Sequence, residues 1–154
     1  MNPATQPLTP SLCAVRAVQP GDYAKIADLA GQLGYPSTEE RVRQRIHGMQ
    51  DSNQYGVLVA EQLDGSIAGW VGVYIFRSVE TDICAQISGL VVDQSTRSHG
   101  IGRALLDAAE GWARSKGCPA IAVLSNVVRD RAHGFYKDNG YTQVKTQHSF
   151  RKNL

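Results

Sequence analysis

The chain has 154 residues, 42% apolar and 19% charged, with a net charge of +2. A chain of this length can bury a sizeable core as one domain, and so small a charge gives no argument for nucleic acid or an anionic membrane as partner. Three widely spaced cysteines, Cys13, Cys84 and Cys118, have neither CxxC nor metal-ligand spacing, so reduced thiols in a cytoplasmic protein and no metal site are expected.

Residues 1–10 read as a flexible tail, lacking the basic and apolar regions of a signal peptide, and residues 11–154 as one domain. No apolar run approaches a membrane span. Leu12 to Val18 alternates as a first strand that Pro20-Gly21 ends. Asp22 is the expected N-cap of a helix to Leu33, with Tyr23, Ile26, Ala27, Ala30 and Leu33 inward, and Gly34 stops it. Ser37-Thr38-Glu39-Glu40 fits a capping box opening a helix that carries Val42, Ile46 and Met49 to about Gln50. Gln54 to Leu63 reads as a strand, Asp64-Gly65 as a two-residue hairpin turn, and Ser66 to Val79 as the returning strand.

A polar link, Glu80 to Asp82, leads into the strand Ile83 to Val92. A glycine loop follows, then a helix to Lys116 with Ile101, Ala104, Leu105, Ala108 and Trp112 inward. Gly117 and Pro119 precede a short strand, Ala120 to Leu124. Asp130 or a neighbour starts a helix with Ala132, Phe135 and Tyr136 inward, ended by Asn139-Gly140. Tyr141 to Lys145 and Gln147 to Arg151 are expected as closing strands. The order β-α-α-β-β-β-α-β-α-β-β predicts an α/β (α+β) domain. Its central sheet should be mixed, largely antiparallel, with about seven strands flanked by four helices.

The loop between Asp93 and the next helix joins a buried strand to a helix start through Gly100 and Gly102. Free amides at a helix N-terminus attract an anion, and glycine lets the backbone approach it. Basic residues between Arg97 and Arg131 suit a compact, multiply charged ligand, although a solvated helix face explains Arg103, Arg114 and Lys116 equally well. A Walker loop requires Lys-Ser or Lys-Thr after its last glycine, and here Arg103-Ala104 stands. A dinucleotide fingerprint requires glycine or alanine where Leu105 stands, and an acid where the next strand ends in Ser125-Asn126. An anion cradle and a turn that merely packs strand on helix both stay open at this point.

The stretch LVVDQSTRSHGIGRALLDAAEGWARSKG resembles the acyl-CoA-binding segment of the GNAT superfamily of N-acyltransferases. That family has an apolar strand, an acid, then Gln/Arg-x-x-Gly-x-Gly/Ala and a helix; Arg97, Gly100 and Gly102 match its fixed positions. AHGFYKDNGY resembles the family's later helix, with its aromatic-tyrosine pair. The resemblance implies acetyl-CoA as co-substrate, its pyrophosphate on the amides of Arg97, Ser98, His99, Gly100, Ile101, Gly102 and Arg103. It implies a pantetheine arm along Leu90, Val91 and Val92, with the Val91 backbone near the thioester oxygen, where a donor stabilises developing charge. Tyr136 matches the tyrosine that faces the coenzyme sulfur; Asn126 either bonds the pantetheine amides or is only a turn residue.

The implied acceptor is an amine. Freeing the lone pair of a lysine-like amine at pH 7 costs roughly 4.6 kcal/mol. Many relatives carry a glutamate on the strand before the loop, but here that region reads Gln86-Ile87-Ser88-Gly89. A relayed water is therefore the expected proton acceptor, with Glu80, Asp82 and His99 as weaker candidates. Tyr35, Trp70, Tyr74, Phe76 and Tyr141 fall in the family's acceptor region; core packing is the first expectation for each, and an aromatic-lined slot suiting a small amine is the alternative. The expected function is an N-acetyltransferase acting on a small-molecule amine in a ternary complex. A protein or peptide amine acetyltransferase and a non-catalytic acyl-CoA sensor are the alternatives. No nucleic acid or membrane partner is expected, and a closing strand can pair across a homodimer.

Overall fold

Alternation in the first segment becomes strand β1 (Cys13–Ala17) in the computed structural model, which describes residues 12–154. The expected tail, residues 1–10, lies outside the described residues. Contacts among the described residues fall into two units, one ending at Val123 and the other running from Leu124 to Leu154.

In the first unit, α1 (Tyr23–Leu33), α2 (Glu39–Gln50), β2 (Tyr55–Gln62), β3 (Ile67–Phe76), β4 (Cys84–Val92), α3 (Ile101–Ser115) and β5 (Ile121–Val123) follow β1. The sheet order is β1-β2-β3-β4-β5. The first four strands form an antiparallel meander; β5, reached through the α3 crossover, pairs parallel to β4. A mixed, largely antiparallel sheet with four helices matches expectation, but it has five strands among the described residues, not about seven. Neither expected closing strand forms. Each run has few apolar side chains and no period of two, and Val144 and Phe150 stand 85% and 93% exposed, so no buried face recruits a ladder partner.

Local chemistry explains the remaining departures. Asp22 precedes α1 but does not cap it with its side chain; the carboxylate accepts instead from the Gln19 N–H at 2.7 Å and from Arg16. Thr38 is the cap of α2 and accepts from the Arg41 N–H, so Glu40 is left to pair with Arg43 and no capping box forms there. The β2–β3 turn closes at Gln62–Ser66 around three residues rather than two. Of those three only Gly65 is left-handed, whereas a two-residue type I′ turn demands two such residues.

The sheet is covered on both faces. Tyr23, Ile26 and Leu29 of α1 and Val42 and Ile46 of α2 pack with Val59 and Val91. On the other face α3 buries Ile101, Leu105, Leu106, Ala109 and Ala113, a stripe rotated from the expected one, with Ala104, Ala108 and Trp112 half-buried. Fully burying a leucine such as Leu29 or Leu105 contributes about 1.5–3 kcal/mol.

One irregularity in β4 positions the candidate site. Gly72 pairs with Gly89, but the next residue, Val73, pairs with Ile87, so Ser88 is an extra residue bulged out of the ladder. Ile87 therefore shares the α3 face with Val73, while Gly89 and Val91 share the α1–α2 face with Gly72 and Trp70.

In the second unit, α4 (Asp130–Asp138) is the one helix, and residues 141–154 form neither helix nor strand.

Candidate active site

The strand before the loop loses its outer partner partway along. β4 and β5 pair only at Ala85–Ile121, Gln86–Ala122 and Ile87–Val123. From Ser88 to Val92 the outer edge of β4 therefore has no strand partner among the described residues. Leu90 and Val92 are half-buried and Val91 is buried, so their side chains serve packing while the outer backbone edge stays available to a ligand's amides.

The strand ends at Asp93, which is anchored on three sides. Its N–H donates to the Ala68 carbonyl at 2.7 Å, its Oδ1 accepts from the Ser95 N–H and hydroxyl, and its Oδ2 accepts from Lys25 Nζ at 2.6 Å. Lys25 and these donors hold the Asp93 carboxyl well below its ordinary value, to about 2. The next amide, Gln94 N–H, donates to Gln32 Oε1 at 3.0 Å. Helix α1 thus braces the loop at its first two residues.

Beyond a single 3-10 turn at Gln94–Thr96 the backbone turns outward. Ser98 has φ 70° and Gly100 has φ 77°, two left-handed residues around His99. Gly100 is the N-cap of α3 and brings no side-chain acceptor; a Cβ there would touch nothing within 4 Å. The first amide to find a carbonyl is Ala104, donating to Gly100 at 3.0 Å. Among the described residues the amides from Arg97 to Arg103 have no acceptor. This row of donors, at the positive end of a helix of 15 residues, fits a phosphate-bearing ligand.

The side chains of the loop are less committed than its backbone. Arg97, Ser98 and His99 are exposed; Arg97 Nε reaches the Val92 carbonyl at 3.5 Å, and His99 Nδ1 lies 3.0 Å from the Thr96 carbonyl. Ile101 is buried and pins the helix start, Gly102 is half-buried, and Arg103 pairs with Asp107 at 3.4 Å. A cavity of about 340 Å³ lies between the β2–β3 turn and Thr96, His99 and Ile101. It excludes the open edge of β4.

Tyr136 and Asn126 belong to the second unit. Tyr136 is half-buried on α4, with its ring centroid 5.3 Å from that of Phe135 and 5.6 Å from that of Tyr141. Burial pushes its phenol above the ordinary value, while the Arg129 charge pulls the other way. Asn126 builds the turn into α4: its Oδ1 accepts from the Val128 N–H at 3.2 Å, and its carbonyl accepts from Arg129 N–H and contacts His133 Nε2.

No carboxylate emerges on β4. Glu80 and Asp82 are exposed in the β3–β4 link, and local hydrogen bonds lower the Glu80 carboxyl. Lys25 and Gln32, the two braces, escaped the sequence reading because they lie 68 and 62 residues from their partners. Of the aromatic residues expected near the acceptor, Trp70 and Tyr74 share one sheet face, Phe76 lies at the strand end, and Tyr35 is 72% exposed. Among the described residues no group of three or more His, Cys, Asp or Glu could hold a metal, and no helix is long and apolar enough to cross a membrane. Cys13 and Cys118 are buried and Cys84 is half-buried.

Comparison with known proteins agrees with this geometry. The profile described as the acetyltransferase (GNAT) family matches residues 24–141. An aminoglycoside N(6′)-acetyltransferase type 1 of Stenotrophomonas maltophilia is 27% identical over 91% of this chain and 93% of its own length. An uncharacterised N-acetyltransferase of Bacillus subtilis is 42% identical over 79% of this chain and 85% of its own length. Among solved structures, the aminoglycoside 6′-N-acetyltransferase AAC(6′)-Ig of Acinetobacter haemolyticus superposes with a TM-score of 0.79 at 19% identity, over 92% of this chain and 99% of that one.

Proposed function

Because this chain belongs to the acetyltransferase (GNAT) family, whose members use acetyl-CoA as co-substrate, we propose that it acetylates a primary amine of a small molecule. The observation that carries this reading is the row of unpartnered amides from Arg97 to Arg103, directly beyond a strand whose outer edge opens after Ile87. Residues 11–154 act as one functional domain in this reading. The aminoglycoside acetyltransferase relative supports a small-molecule acceptor over a protein or peptide amine.

Each element of the chain has a defined task. The amides from Arg97 to Arg103 hold the pyrophosphate, and Leu90, Val91 and Val92 offer their backbone to the amide-bearing arm. A dipole contact contributes only about 0.3–1 kcal/mol, so direct N–H bonds supply most of the grip. In this reading a backbone amide of the open stretch around Val91 stabilises charge developing on the acyl oxygen. Bound in this way, the coenzyme supplies an activated thioester, whose C–S bond breaks as the amine's N–C bond forms and the nitrogen loses one proton.

Tyr136 keeps its proton at neutral pH, since burial raises its phenol, and donates a hydrogen bond to the departing sulfur. The amine proton leaves through ordered water, because β4 carries no carboxylate. Asn126, with its Oδ1 engaged in the turn, retains its amide N–H groups for the coenzyme. A second copy of the chain can cover residues 142–154, which are exposed throughout, giving a homodimer that sedimentation would detect.

Thiol release from acetyl-CoA, measured across a panel of amines, tests the reading. Turnover with at least one small amine is expected. Tight acetyl-CoA binding without turnover on any amine would make the chain a sensor.

A further inference from the structure

The cavity beside the glycine loop has no task in the acyl transfer described above. It lies between the β2–β3 turn and the start of α3, with a volume of about 340 Å³. Ligand pockets run from roughly 300 to 1,000 Å³, so this one has room for a single flat base and not for a whole nucleotide.

Part of its lining is apolar. Leu63 in the turn is 86% exposed, Leu12 just before β1 is 52% exposed, and the buried Ile101 lines the same space. One leucine alone on a surface is ordinary. Two that border a single hollow offer apolar area that a bound ring would remove from water.

The polar groups at this cavity are mostly acceptors. Asp64 Oδ1 accepts from the Ser66 N–H at 2.9 Å and from the Ser66 hydroxyl at 2.6 Å. These bonds hold the Asp64 carboxyl below its ordinary value, so it is ionised at neutral pH and keeps Oδ2 as a further acceptor. His99 Nδ1 lies 3.0 Å from the Thr96 carbonyl, which can only accept. Nδ1 therefore carries the hydrogen, and Nε2 of the neutral ring is an acceptor. Gln62 supplies a donor, since its Nε2 has no acceptor among the described residues.

This set of groups sorts the two halves of a nucleotide. A phosphate is repelled by the Asp64 carboxylate, whereas an exocyclic ring amine donates to it. A ring oxygen in the place of that amine would set acceptor against acceptor, so adenine fits and hypoxanthine does not. The phosphates have their own place close by. His99 and Ile101 line the cavity and also contribute their N–H groups to the unpartnered row from Arg97 to Arg103. In coenzyme A one ribose separates the adenine from the pyrophosphate, so a pyrophosphate on the row leaves the base within reach of the cavity. No residue of the open β4 edge lines that cavity, so base and acyl arm take separate places.

Resting on the acetyltransferase reading and going beyond it, we infer that this cavity is the coenzyme's adenine subsite, with Leu12 and Leu63 against the ring and Asp64 accepting from its exocyclic amine.

Calorimetry with CoA, etheno-CoA and adenosine 3′,5′-bisphosphate tests the subsite, alongside thiol release from acetyl-CoA across the amine panel. In etheno-CoA the exocyclic nitrogen is closed into a ring and has no hydrogen to donate. The wild-type protein should bind CoA about tenfold more tightly than etheno-CoA, the equivalent of one hydrogen bond. Asp64→Asn should erase that preference, because its amide donates where the carboxylate accepts. Leu63→Asp, at an exposed position the fold does not depend on, should raise the Kd for CoA roughly tenfold and leave kcat within about twofold. Equal affinity for CoA and etheno-CoA, or an unaltered Kd in Leu63→Asp, overturns the subsite and leaves the acetyltransferase reading standing. Adenosine 3′,5′-bisphosphate that binds alongside CoA without displacing it, and that Leu63→Asp weakens, overturns the assignment to the coenzyme and makes the cavity a separate nucleotide site. The expected base preference without thiol release on any amine upholds the subsite and overturns the acetyltransferase reading. No binding of CoA overturns both.

Discussion

Lys25 Nζ donates to Asp93 Oδ2 at 2.6 Å, tying helix α1 to the residue from which the glycine loop departs. Asp93 is largely buried and its carboxyl is held at about 2, so the pair contributes stability that is complete above the unfolded value near 3.9. That contribution disappears as pH falls from about 4 towards 2. Discounted for the partial exposure of Lys25, Lys25→Met should cost on the order of 1 kcal/mol at pH 7 in urea unfolding, and much less at pH 2. The same variant should weaken acetyl-CoA binding several-fold in calorimetry while changing kcat little, because the loop loses its brace and the reacting groups are untouched.

Arg16 holds the buried Asp22 with two bonds, at 2.8 and 3.0 Å, and also contacts Glu61. Arg16 and the Gln19 N–H lower the Asp22 carboxyl. Removing the cation leaves a buried carboxylate with one backbone donor, so Arg16→Met should cost roughly 2 kcal/mol at pH 7. The sign again follows a depressed carboxyl: the loss shrinks as pH drops below about 4 and Asp22 protonates. A double variant, Arg16→Met with Asp22→Asn, should be less destabilised than the sum of the two single ones in denaturant titrations.

Ser98 and Gly100 make opposite predictions from the same backbone region. Ser98 pays for a left-handed φ that glycine adopts freely, so Ser98→Gly should stabilise the fold by up to about 1 kcal/mol. Gly100→Ala meets no neighbour within 4 Å, so its cost is conformational alone, about 1–2 kcal/mol. Thermal unfolding should resolve both, and Gly100→Ala should also raise the acetyl-CoA KM as the amide row shifts.

Tyr136→Phe should lower kcat by about 10–100-fold and leave the acetyl-CoA KM within about twofold. Burial raises the phenol, so the wild-type rate should not fall through tyrosine ionisation until above about pH 10. A pH–rate profile of both proteins checks the assignment, since a purely packing role would leave the kcat of a folded Tyr136→Phe protein intact.

The legible parts of the chain were those governed by local periodicity or local backbone demands. Gly34, at φ 99°, ends α1 as its identity required, and the apolar run before Asp93 became β4. The loop from Arg97 to Gly102 was visible because its glycines stand where a strand meets a helix. What stayed hidden depends on distant partners. Lys25 reads as an ordinary helix-surface lysine until Asp93 arrives beside it, and a period-two reading of Ile87, Gly89 and Val91 puts all three on one face. Residues 141–151 show the converse limit: scattered β-branched and aromatic residues without a period of two yield no strand when no buried face recruits them.

Ser88 behaves as an insertion within an otherwise regular strand. With it removed, Ile87 and Gly89 would become neighbours and would still point to opposite faces, so Val91 would keep its place against α1 and α2. The ladder between β3 and β4 would simply close. A chain lacking Ser88 therefore has every reason to fold, with unbroken alternation from Cys84 to Val92 in place of a bulged strand.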